Sequence, residues 1–149
     1  MVIAPLSEVQ AGEIAEKGIY WVPTLELWRG VHNLYGVQYD TIAVNNLRIF
    51  HRMGGKVALG TDFNGFICPF DRDFPITEVK LMREAGMSVM DIIVAGTKNA
   101  SIVYGMDESL GTLEPGKIAD IVVIDGDPLM NIELFLKPFM VLKEGKLVF

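Results

Sequence analysis

The chain has 149 residues, 50% of them hydrophobic, with a formal net charge of −6 and a mean hydropathy of +0.33. That is enough for one ordinary domain with a sizeable core, while the acidic balance and the lack of any Lys/Arg cluster exclude nucleic acid and anionic membrane surfaces as partners. No window reaches the ~18 consecutive apolar residues of a membrane span, so the excess apolar surface must be buried internally or against a partner.

The first element is a helix from about Ser7 to Lys17. Ser7-Glu8-Val9-Gln10 has the spacing of a capping box, Ile14 falls with Ala11 and Ala15 on one face, and Gly18 stops the run. IYWVPTL, Ile19 to Leu25, is rich in β-branched and aromatic residues and reads as a strand that ends near Pro23, followed by a loop containing His32. Tyr39 to Met53 reads as a second helix, with Ile42, Leu47, Ile49 and Phe50 as apolar positions and Gly54-Gly55 as its end. It delivers the chain to a short buried strand, Val57-Ala58-Leu59-Gly60, and the order helix, strand, helix, strand is that of an α/β layer with parallel strands.

Past Thr61-Asp62 the segment FNGFICPFDRDFP carries Phe63, Phe66, Phe70, Phe74 and Cys68, and loops of this length in compact domains are usually functional or mobile. A helix opens at Thr77 and ends at Gly86, Ser88 caps another, and Asn99 to Tyr104 adds a last helical segment. Met82, Met87 and Met90 fall at helical spacings and are assigned to the core. Thereafter the character changes: Pro115-Gly116 fits the centre of a type II turn, ADIVVIDG is a strand, and VLKEGKLVF is a hairpin hinged at Glu144-Gly145.

Taken together, GTDFNG, AGMSVMDIIVAGTKNASIVYGM, LGTLEPGKIADIVVIDGDPL and VLKEGKLVF resemble the C-terminal portion of a metal-dependent amidohydrolase, of the branch with imidazolonepropionases and prolidase-like dipeptidases. The resemblance runs from Ser7 to Phe149 and matches only the latter third or so of such an enzyme. It implies an α/β fold: the C-terminal part of a (β/α)8 barrel over residues 1–106, with IYWVPTL and KVALGTD as its seventh and eighth strands, and C-terminal strands of a small β-sandwich over 107–149. It also implies hydrolysis of C–N bonds in small cyclic amides or dipeptides. Active sites of such barrels lie at the C-terminal ends of the strands, where Asp62 stands. There the family's carboxylate contacts a divalent metal, zinc being the first expectation, and takes a proton from the attacking water.

On residue type alone, Asp62 could equally cap a helix or form an Asx turn. His32 and Phe63 are the candidate substrate contacts, against a solvated loop position for one and loop packing for the other. His51 is explained by a helix C-terminus, and the lone Cys68, compatible with a reducing and cytoplasmic setting, by burial as a small hydrophobe. The resemblance implies histidine ligands on the first, fifth and sixth strands. The chain's two histidines match none of these positions, so the expectation is a fragment that binds no metal alone and is inert alone. A truncated barrel exposes apolar faces and strand edges, which implies self-association or pairing with a missing N-terminal portion. The alternative is a non-catalytic binding or oligomerisation module of the same ancestry.

Overall fold

The computed structural model describes residues 3–62 and 68–149. Helix α1 (Glu8–Glu16) is capped by Ser7, whose hydroxyl accepts from the Gln10 amide while the Gln10 side chain accepts from the Ser7 backbone, the reciprocal box that the sequence spells out. Strand β1 (Tyr20–Trp21) pairs in parallel with β2 (Lys56–Val57), Tyr20 opposite Lys56 and Trp21 opposite Val57. Between them run two helices, α2 (Leu25–Tyr35) and α3 (Tyr39–Arg52). The segment assigned to a strand through Leu25 and then a loop is therefore a two-residue strand followed by a helix. Thr24, at φ 52°, turns the chain sharply into α2 after Pro23.

The core gathers around this parallel pair. Ala43, Val44, Leu47 and Phe50 recur at helical spacing on α3 and are at most 3% exposed. They meet Val57 from β2 and Val79, Met82 and Ala85 from α4 (Ile76–Glu84). Each fully buried large side chain of this kind contributes roughly 1.5–3 kcal/mol. Trp21 packs edge-on against Phe50, ring centroids 5.2 Å apart. Asn46 is buried on α3 and ties down the N-terminal segment, accepting from the Leu6 amide and donating to the Ala4 carbonyl, both at 2.8 Å.

After Ser88, which forms a second capping box with Asp91, α5 (Val89–Val94) passes through a π-helical turn (Ala95–Asn99) into α6 (Ala100–Val103). The turn has a structural use. Ala58 N–H points to Trp21 on β1, so Val57 C=O and Leu59 N–H face the opposite edge of β2. Those groups are taken up by the Asn99 side chain and by the Ala95 carbonyl. A strand edge expected to stand open is closed here by a helix.

The remaining chain forms an antiparallel sheet in the order β3 (Ile121–Val123), β4 (Met140–Lys143), β5 (Lys146–Leu147). Gly116 adopts φ 91° and Lys117 N–H bonds Glu114 C=O, as the type II turn requires. The hairpin turns at Glu144 and Gly145, both at positive φ. A 3-10 helix (Ile132–Leu136) docks this portion on the body: Phe135 stacks on Phe74 at 5.2 Å and Glu133 pairs with Lys80.

Two corrections follow. Among the described residues there is neither a closed barrel nor a β-sandwich: two parallel strands cannot close a barrel, and the antiparallel sheet has no second sheet across it. What is present is an α/β arrangement of two parallel strands under helices, plus that sheet. And while Met82 and Met87 are buried, Met90 is 51% exposed, because it lies in the first turn of α5 on the side away from Val89 and Ile92.

Candidate functional site

Both parallel strands lead into a non-glycine residue in the left-handed region, Thr24 after β1 and Asp62 (φ 55°) after β2. Asp tolerates this conformation better than most residues, but it still costs energy and is found disproportionately at working sites. The Asp62 side chain is exposed and has no bonding partner among the described residues. Phe63 lies outside the described residues.

Helix α2 leaves the same end of the sheet and carries the other expected residue. His32 is in this helix, not in a loop, because Leu25, Glu26 and Leu27 bury its first turn and fix the segment as helical. Its Nδ1 is 2.7 Å from Asp40 Oδ1, and Arg29 Nε donates to Asp40 Oδ2 at 2.7 Å. Burial of Asp40 opposes its ionisation, but the bonds from His32, Arg29 and the Thr41 backbone outweigh that and hold its carboxyl below the usual range. His32 is thus engaged in joining α2 to α3. The close approach of the returning chain explains Gly30: a Cβ there would run into the side chain of Cys68. Cys68 is buried, with Sγ 3.8 Å from the Leu27 carbonyl oxygen, and burial and then the nearby Glu26 push its thiol pKa up. That describes an inert core thiol.

Three acidic groups that the sequence did not single out organise this face. Glu78, on α4, is 0% exposed and accepts from the Glu26 amide at 2.6 Å, capping α2 from outside because Thr24 provides no side-chain cap. Glu26, 3% exposed, accepts from the Asp71 amide, and Asp71 Oδ2 in turn accepts from the Thr77 amide at 2.6 Å, at the start of α4. Burial pushes the Glu78 carboxyl up to about 7, against the pull of its backbone bonds and with the help of Glu26. One signal was available: Glu78 shares a helical face with the buried Met82 and Ala85.

A cleft of about 210 Å³ opens between α2 and this segment, bordered by Glu26, Arg29, Asn33, Phe70 and Asp71. A second, of about 180 Å³, lies beside His51, Lys56 and Asp91. Both fall short of the ~300 Å³ at which small-molecule sites begin. No group of three or more His, Cys, Asp or Glu able to hold a metal occurs among the described residues. A lone Asp62 does not fit zinc, which takes three or four protein donors. Asp120 bonds Lys143 and the Glu144 amide. No helix among the described residues is long and apolar enough to cross a membrane.

The model of a family described as the amidohydrolase family matches residues 10–148. An imidazolonepropionase of Thermoanaerobacter pseudethanolicus is 32% identical over 130 residues, covering 83% of this chain and 29% of that protein. One of Symbiobacterium thermophilum is 37% identical over 73 residues, 48% of this chain and 17% of that protein. Among solved structures, a Xaa-Pro dipeptidase with methionine bound in its active site superposes with a TM-score of 0.83 at 23% identity, over 95% of this chain and 37% of that one. An amidohydrolase superposes at 0.80 with 25% identity, again over 95% and 37%. The chain thus spans less than a third of these curated relatives and under two-fifths of these solved chains.

Proposed function

The chain belongs to the amidohydrolase family, and from that premise we propose that it is the part of a C–N hydrolase that supplies Asp62 as the proton-transferring carboxylate, inert by itself. In this reading residues 1–106 are a barrel section and 107–149 its share of a sandwich. The supporting observation is the conformation of Asp62: beyond the end of β2, left-handed, exposed, and with no partner among the described residues. A carboxylate so held can accept a proton from water as the water oxygen bonds to the carbonyl carbon, then give it to the nitrogen as the C–N bond breaks. The metal that the family resemblance implies does not fit the donors found among the described residues.

The relatives' names suggest two substrates to try, a Xaa-Pro dipeptide and an imidazolone propionate. The test is hydrolysis of both by this chain alone, by the chain joined to the remaining portion of a related hydrolase, and by that joined protein carrying Asp62→Asn. Turnover by the joined protein only, reduced roughly 10²–10⁴-fold by the substitution, is the expected outcome. Full activity in Asp62→Asn removes the role of Asp62.

A second reading, a non-catalytic binding or oligomerisation module, is favoured by the C-terminal sheet, where Val122, Phe139, Leu147 and Phe149 are 52–70% exposed. The joined protein separates the two: turnover once the remaining portion is supplied supports the hydrolase part, and its absence, with a defined oligomer that persists at high dilution, supports the module.

A further inference from the structure

We propose that the buried pair Glu26 and Glu78 carries a single proton, on Glu78, and that this proton latches α2 to the 68–77 segment. The inference is independent of whether Asp62 performs hydrolysis.

The geometry calls for a proton. Both carboxyl groups are buried, and each uses one oxygen on a backbone amide: Glu78 Oε2 on Glu26 N–H and Glu26 Oε1 on Asp71 N–H. The other two, Glu78 Oε1 and Glu26 Oε2, are buried and have no partner among the described residues. Glu78 sits on the Glu26 amide and the Glu26 charge opposes its ionisation, so two ionised carboxylates here, buried and without compensation, would each carry a desolvation cost and repel one another. A single O–H on Glu78 removes one of the two charges and turns one carboxylate oxygen into a donor.

The neighbouring charges offer no other solution. From α2, Arg29 is committed to Asp40 and lies 3.6 Å from Glu84. From α3, Asp40 is taken by Arg29 and His32. From the 68–75 segment, Asp71 adds negative charge beside Glu26, and Cys68 is a neutral thiol raised further by the same carboxylate. No lysine, arginine or histidine pairs with either glutamate among the described residues.

The latch has mechanical reach because the two glutamates cap each other's surroundings. Glu78 caps the start of α2, and Glu26 holds Asp71, which holds the start of α4. Loss of the proton leaves both ends of that chain of bonds ionised. The Glu78 carboxyl, pushed up to about 7, keeps its proton in the folded protein where the unfolded chain has lost it. Stability therefore falls as pH climbs from the ordinary carboxylate range to about 7, and levels off above it.

The test is urea unfolding of the full chain between about pH 5 and about pH 8.5, with wild type against Glu78→Gln. The glutamine side chain keeps the shape and supplies a permanent donor. Expected is a wild-type midpoint that declines across this range and a Glu78→Gln midpoint that declines less or not at all. An equal decline in both, or a flat wild type, overturns the proposal. A second measurement does not depend on the variant folding: the infrared carbonyl band of a protonated carboxylic acid in wild type, expected at about pH 6 and gone at about pH 8.5. Its absence at the lower pH overturns the latch, as does stabilisation by added calcium without that band, which would make a cation the shared partner.

Discussion

The side-chain amide of Asn99 donates to the backbone carbonyl of Val57 across 2.8 Å, joining the π-helical turn to the outer edge of β2. Two residues on, Leu59 N–H bonds the Ala95 carbonyl at 3.0 Å. Asn99→Leu keeps the bulk and removes the donor, leaving a strand carbonyl unpaired. It should cost about 1–3 kcal/mol, read as a lower urea midpoint with unchanged slope. An unchanged midpoint would mean that water already serves that carbonyl.

Gly30 gives a prediction of sign. Alanine in a helix interior normally stabilises by about 0.5–1 kcal/mol relative to glycine, yet here its Cβ would run into Cys68. Gly30→Ala should therefore destabilise, by about 1–3 kcal/mol. Combining it with Cys68→Gly should cost less than the sum of the two single changes, and a double-mutant cycle from urea unfolding measures that coupling.

Asp40 sets an acid limit. Burial works against its charge and the bonds from His32 and Arg29 more than offset it, so its folded pKa lies below the unfolded value. Its contribution is present above the ordinary aspartate pKa and disappears as pH falls through the lowered one. Asp40→Asn should be less stable than wild type near neutrality, and the gap should shrink in strong acid. A gap that persists there would assign the effect to the shape of the amide.

Glu144 and Gly145 both take the positive φ of a type I′ turn, for which asparagine suits the first position better than glutamate. Glu144→Asn should raise the melting temperature modestly, while Gly145→Ala should destabilise by about 1–2 kcal/mol. A fall with Glu144→Asn would show that the Glu144 side chain contributes more than its backbone angles.

Asp62→Asn should leave folding stability within about 0.5 kcal/mol of wild type, as expected of an exposed residue without structural partners. A larger loss by calorimetry would give this side chain a structural task and weaken its reading as chemistry.

Elements with local signals were legible in the sequence. The Ser7 and Ser88 capping boxes, the Pro115-Gly116 turn and the Glu144-Gly145 hinge each follow from residues close together in the chain, and the parallel direction of β1 and β2 from the helical crossover between them. Helix α2 was not legible, since Pro23, Gly30 and Gly36 punctuate it like a loop and its burial comes from α3 and the segment returning through Cys68. Asp40, Glu26 and Glu78 escaped for the same reason. A buried acid differs from a surface acid only by its tertiary neighbours, and in Glu26 and Asp71 those are 45 positions apart.

The C-terminal sheet decides how this molecule behaves when heated. Val122, Leu147, Val148 and Phe149 already face water in the folded state, each more than half exposed, on β3, β5 and the strand end that pairs back to Val141. Warm molecules that loosen will stick to one another through these side chains faster than they refold. The apparent melting point should then drift with scan rate and protein concentration, and a half-life at a fixed temperature will describe its durability better than an equilibrium free energy.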